Sequence, residues 1–154
     1  MAAFENTPAI TWLFHGPEHR IVAANRMARA SVGDRADLLG RPVRDAAPEV
    51  AERDIAELLD RVRRSGRPIL EVERRIEVDR NGDGVPEEGF YNFSVLPVPG
   101  PDGEPMLLAH VIDVTAIVHQ RRRAEADAHD ARERLSAERR VLLDLQRTLL
   151  PPGL

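Results

Sequence analysis

Three oxygen-bearing side chains, Asp79, Asn81 and Asp83, stand at alternate positions and are followed by Gly84. That is the first half of a calcium loop, with donors at the first, third and fifth places and a glycine at the sixth for the sharp turn. The twelfth place, where such a loop supplies a bidentate glutamate, is occupied by Phe90. Residues of strand character flank the segment, and Asx and Gly residues are also what any tight hairpin turn recruits. The tip therefore reads either as turn chemistry or as a partial metal site, and no other stretch offers metal ligands.

Other chemistry is sparse. His15, His19, His110, His119 and His129 are scattered along the chain with no converging acid or base, and they read as surface or supporting residues. Cysteine is absent, which removes disulfides, thiolate metal sites and cysteine nucleophiles. All 22 basic residues are Arg, so Schiff-base chemistry and a phosphate-binding lysine are excluded. No G-x-S-x-G, H-E-x-x-H or G-x-G-x-x-G occurs. These absences point to a chain that is not itself an enzyme.

The composition is that of a water-facing domain. Of 154 residues, 42% are hydrophobic and 31% charged, with a net charge of −4. Arg121-Arg122-Arg123 is the one basic run, and Glu125, Asp127, Asp130 and Glu133 lie beside it, which disfavours nucleic acid. The longest apolar stretch, Met106 to Val118, is broken by His110 and Asp113 and falls short of the about 20 apolar residues a bilayer span takes. The start, Met1-Ala2-Ala3-Phe4-Glu5, has no signal-peptide pattern. A soluble, cytoplasmic protein that engages neither membrane nor nucleic acid is expected.

The elements that must position these residues follow from periodicity. Ile10 to Phe14 and Arg20 to Ala24 read as two strands joined by the turn Gly16-Pro17-Glu18-His19. Asn25 stands where its side-chain oxygen can cap a helix from Arg26 to Ser31. Gly33-Asp34 and Leu39-Gly40-Arg41-Pro42 punctuate short helices and turns. A middle helix within Ala51 to Gly66 carries Ile55, Leu58, Leu59 and Val62 on one stripe. Leu70, Val72, Ile76 and Val78 alternate with Glu71, Glu73, Arg75 and Glu77, which predicts a strand with the apolar set facing the core. Phe90 to Val98 and Met106 to Val114 complete the set, and the last is apolar on both faces, so both are expected to be covered. This order predicts an α+β domain with an antiparallel sheet and helices on one face.

After Ala116 the pattern changes. Ile117, Arg121, Ala124, Ala128, Ala131, Leu135, Glu138, Leu142, Leu145 and Leu149 are spaced alternately by four and three, and eight of the ten are apolar. That is a coiled-coil seam of period 3.5. No Gly or Pro interrupts Ala116 to Leu150, and Pro151-Pro152-Gly153 follow. At 1.5 Å per residue the helix would reach about 50 Å. A homodimer buries the seam most simply; a solvated helix lying on its own domain is the alternative. Polar Arg121 and Glu138 and the small alanines predict a weak seam, poised between arrangements.

Four segments in order, Phe4-Glu5-Asn6-Thr7-Pro8-Ala9-Ile10, Ile21-Val22-Ala23-Ala24-Asn25, Asp37 to Val43 and Asp113-Val114-Thr115, resemble a PAS domain over residues 4 to 115. The resemblance implies a five-stranded antiparallel sheet with flanking helices that enclose a small pocket. The division expected is a sensor domain over 1–115, a coiled-coil signalling helix over 116–150, and the start of a C-terminal effector at 151–154. The resemblance gives Asp113 and Thr115 the role of passing a signal from the last strand to the helix; an ordinary helix cap is the simpler reading.

Under the same resemblance Trp12, Phe14, Leu58, Val62, Tyr91, Phe93, Val95, Leu107, Ala109 and Val111 would face the pocket, either lining a small-molecule site or filling a packed core. No cofactor is assigned. Flavin photochemistry through a cysteine adduct has no cysteine, and the middle helix has no histidine for haem. Finally, Leu145-Gln146-Arg147-Thr148-Leu149-Leu150-Pro151-Pro152 resembles the lead-in to the metal-dependent serine/threonine phosphatase domain of sporulation stage II protein E-type regulators. This implies a bacterial, non-catalytic regulatory module acting in cis on such a phosphatase. A stand-alone small-molecule-binding or calcium-binding protein, or a small enzyme on the same fold, is the alternative.

Overall fold

The structure, a computed structural model, describes residues 2–49, 51, 53–78 and 83–150. By contacts the chain divides between Thr115 and Ala116 into two compact units.

The first unit is built on a five-stranded antiparallel sheet. Its strands are β1 (Ile10–His15), β2 (Arg20–Ala24), β3 (Ile69–Val78), β4 (Glu87–Val98) and β5 (Met106–Asp113), in the spatial order β2-β1-β5-β4-β3. The helices are α1 (Ala2–Glu5), α2 (Arg26–Ser31), α3 (Val43–Ala46) and α4 (Arg53–Ser65). The core lies on the inner face of the sheet, where Trp12, Phe14, Phe93, Val95, Leu107 and Ala109 meet Leu58, Leu59 and Val62 of α4. The stripe predicted on the middle helix thus faces the sheet, and Gly66, at φ 67°, ends that helix in the left-handed region where glycine is favoured.

Asn25 fixes the start of α2 and much besides. It is fully buried. Its Oδ1 accepts from the N–H of Ala28 at 2.9 Å, the expected cap, and from the N–H of Thr11 in β1 at 3.0 Å. Its Nδ2 donates to the carbonyl of Ala9 at 2.8 Å. One side chain therefore closes the helix N-terminus and ties it to the sheet.

Strand β3 departs from the alternation its sequence carries. Glu71 pairs with Phe93 and Arg74 with Tyr91, so Val72 and Glu73 together lie opposite Asn92. This is a β-bulge, and it inverts the facing of every residue before it relative to every residue after it. Leu70 and Val72, expected in the core, are 72% and 64% exposed. Ile69 and Glu71 take the inward places, opposite buried Val95 and Phe93. Glu73 adopts φ 52°, a left-handed conformation that costs a non-glycine residue about 1–2 kcal/mol. Its N–H donates to Oδ1 of Asn92 at 2.8 Å, so the donor released from the ladder is satisfied. The Arg74 guanidinium pairs with Glu71 at 3.5 Å and lies 5.6 Å from the centre of the Phe93 ring.

On β5 the inward Leu107 and Ala109 are buried, whereas Leu108 and His110 are half-buried and Ile112 is 51% exposed. Cover on the outer face of this strand is therefore partial, not the two-sided burial its apolar run predicts.

The second unit is the helix α5 (Thr115–Leu149), which takes its first residue from the end of the first unit. Ile117, Ala124, Ala128, Ala131, Leu135, Leu142, Leu145 and Leu149 are all solvent-exposed on it. No helix among the described residues is long and apolar enough to cross a membrane.

Candidate sensory pocket and its exit to the long helix

Beside the packed core the inner face of the sheet opens into a cavity of about 320 Å³. Ile10 and Trp12 of β1, Ile76 of β3, Tyr91 of β4 and Val111 of β5 form its floor. Ala30 and Ser31 at the end of α2, Glu49 after α3 and Ile55 of α4 form the opposite side, and Asp113 stands at the end of β5. The volume is at the small end of ligand sites, about 300–1,000 Å³, and the mostly apolar wall with a few polar groups at its edge is the usual make-up of such a site.

The ten inward residues expected at a pocket are divided by this geometry. Trp12, Tyr91 and Val111 line the cavity. Phe14, Leu58, Val62, Phe93, Val95, Leu107 and Ala109 are packed in the core. Trp12 belongs to both sets, with its ring stacked on that of Phe14 at 6.1 Å and 9°. Seven lining residues carried no such expectation: Ile10, Ala30, Ser31, Glu49, Ile55, Ile76 and Asp113, the last expected only in passing the signal to the helix. For Ile55 the stripe on α4 was a usable signal; Ser31 and Glu49 sit in short elements with no period to read. Glu49 is gripped by Arg35 at 2.6 Å, an ion pair that holds its carboxylate at the rim.

Asp113 connects the cavity to the helix. Its Oδ1 accepts from the N–H of Thr115 at 2.9 Å and from the Thr115 hydroxyl at 2.5 Å. The Thr115 hydroxyl oxygen in turn accepts from the N–H of Phe90 on β4 at 2.9 Å. The N–H of Val114 donates to the Phe90 carbonyl at 2.8 Å. A helix cap alone would leave β4 untouched; here the first residue of α5 is bonded to the strand that supplies Tyr91 to the cavity floor. Tyr91 and Asp113 are themselves paired across β4 and β5.

The histidines stay apart from the cavity lining. His110 Nδ1 lies 3.1 Å from the Thr11 hydroxyl, and His129 lies 3.2 Å from Glu133. His19, read as a surface or supporting residue of a turn, is 5% exposed and bonds Asp60 at 2.7 Å. Among the described residues no group of three or more His, Asp or Glu could hold a metal ion. Asp79 and Asn81 of the calcium-like tip lie outside the described residues. Asp83 accepts from the N–H of Val85 at 2.9 Å, the bond of an Asx turn.

Fold and site together define a sensory α+β domain of the kind that holds a pocket between one sheet and its helices. Residues 4–119 match the sequence profile of the PAS fold, and the chain belongs to that family of sensory and regulatory modules. The PAS domain of BvgS from Bordetella pertussis is similar in fold, with 21% identity over 86% of this chain and 93% of that one and a TM-score of 0.58. The PAS domain of nitrogen regulation protein NR(II) from Vibrio parahaemolyticus aligns at 16% identity over 73% and 94% of the two chains, with a TM-score of 0.52. VqmA bound to DPO aligns at 18% identity over 73% of this chain and 55% of that chain, with a TM-score of 0.57.

Proposed function

We propose that this chain is a ligand-responsive regulatory module: a small molecule enters the cavity, and its presence is passed through Asp113 and Thr115 to α5. The observation that carries the reading is the double place of Asp113, which lines the cavity and accepts both Thr115 donors. A ligand that draws on the Asp113 carboxylate competes with those donors and alters the hold on the first turn of α5. The apolar floor favours a compact, largely apolar or aromatic molecule. VqmA, similar in fold, has been seen bound to DPO, which fits a binding use of the fold.

In this reading α5 pairs with α5 of a second copy through Ile117, Ala124, Ala128, Ala131, Leu135, Leu142, Leu145 and Leu149. The support is their spacing and their exposure, since a stripe of four exposed leucines in one helix needs a partner. The output is a serine/threonine phosphatase domain in cis, a reading supported by the lead-in at Leu145 to Pro152. Native mass spectrometry of the purified chain tests the first two parts at once. A dimer that carries a small molecule is expected; a monomer at tens of micromolar would remove the pairing, and dimers without ligand under all additions would remove the sensing.

A further inference from the structure

We propose that β3 is a two-register strand, and that losing its bulge withdraws the apolar pair Leu70 and Val72 from the surface. In the bulged register shown here, Ile69 faces Val95 and Glu71 faces Phe93. Hold Arg74 opposite Tyr91 and remove the bulge, and the pairs become Glu73 with Asn92, Val72 with Phe93 and Leu70 with Val95. Leu70 then takes the inward seat of Ile69 and Val72 that of Glu71, each a near match in volume, so the core can accept the change without a new cavity. Glu71 and Glu73 move to the solvent face, and the alternation of the sequence from Leu70 to Val78 becomes continuous.

Each register holds something the other lacks, which is the condition for both to be populated. The regular register exchanges Ile69 for Leu70 in the core, adds Val72 in place of Glu71, and releases the left-handed Glu73. The bulged register keeps the Arg74–Glu71 pair, the Arg74–Phe93 contact and the bond from Glu73 N–H to Asn92. β3 is an edge strand, so only its pairing with β4 has to change. The shift is one residue, about 3.3 Å, over Ile69 to Glu73. It is taken up in the connection Gly66-Arg67-Pro68 after α4. The bulge also lies next to the cavity, because Arg74 pairs with Tyr91 and Ile76 follows two residues later. The exposed Leu70–Val72 edge is thereby a surface the domain can present or withdraw, separately from the route through Thr115.

The absence of native cysteine makes the register readable by thiol labelling. Leu70→Cys and Glu71→Cys are prepared singly in the full chain, in the native background, with Asn92→Ala, and with Glu73→Val. In the native background Leu70→Cys is expected to label at least about tenfold faster than Glu71→Cys, and with Glu73→Val, whose β-branched side chain resists the left-handed conformation of the bulge, the order is expected to reverse. Asn92→Ala should move the ratio in the same direction. An unchanged order in both backgrounds, with circular dichroism showing folded protein, overturns the proposal. Should these variants fail to fold, relaxation dispersion on the native chain decides: exchange confined to 69–75 and 92–95 and abolished by Glu73→Gly supports two registers, and its absence refutes them.

Discussion

The backbone N–H of Phe90 donates to the hydroxyl of Thr115 at 2.9 Å, joining β4 to the first residue of the long helix. Phe90 also accepts from Val114 through its carbonyl, so both of its backbone polar groups are spent on this junction. The bond is partly shielded, and a donor there has little recourse to water.

Thr115→Val removes the acceptor while keeping the shape. The expected cost is about 1–2 kcal/mol, the price of leaving the Phe90 N–H without its partner. Exchange of the Phe90 amide should quicken roughly tenfold, and Thr115→Ser should restore the native rate. Unaltered exchange in the valine variant would show that the junction does not depend on this hydroxyl.

Asn25→Ala deletes one acceptor of two N–H groups and one donor to Ala9, all in a fully buried place. A loss of about 2–3 kcal/mol is expected, seen as a Tm lower by about 5–10 °C. Asn25→Asp keeps the cap but loses the donor, so it should fall between the two. A Tm within a degree of native for Asn25→Ala would contradict the assigned network.

Glu5 gives a pH dependence of definite sign. The hydrogen bond from Arg29, at 2.9 Å, and its positive charge hold the Glu5 carboxyl below its usual value, outweighing the opposing effect of desolvation. A lowered folded-state pKa means that the pair stabilises above the ordinary carboxylate value and that this stabilisation is lost as pH falls through the lowered one. The Tm gap between the native chain and Glu5→Gln should therefore be level from about pH 6 to pH 8 and close toward about pH 3. Both side chains are well exposed, so the gap itself is small and should shrink further in high salt.

Leu142→Asp places a charge in the middle of the leucine-rich part of the α5 stripe. If the helices pair there, sedimentation should shift from dimer to monomer at equal concentration, with the Tm of the first unit unchanged. The same substitution at Arg134, off the stripe, should leave the association state as it is.

Much of this architecture was readable from the chain. The limits of β2 coincide with the run Arg20 to Ala24, and Asn25 announced its cap, because both depend on residues adjacent in sequence. Local capping chemistry and strict alternation survive whatever the rest of the fold does. The facing of Leu70 and Val72 did not follow from alternation, since counting by twos assumes one residue per seat. The extra residue at the bulge depends on Asn92 of another strand, nineteen positions away. Lining and packing likewise could not be separated: Phe93 and Tyr91 alternate identically on β4. What distinguishes them is how far α4 and the end of α2 reach across the sheet, a matter of helix placement that no periodicity encodes.

The stacking of Trp12 on Phe14 has a practical reach. Trp12 is the only tryptophan in the chain, and it sits in the cavity wall with its ring held in one orientation. Its emission therefore reports from one known point, without competing fluorophores of its kind. Titrating candidate compounds against that single optical signal turns the unmodified protein into its own assay for what the cavity accepts.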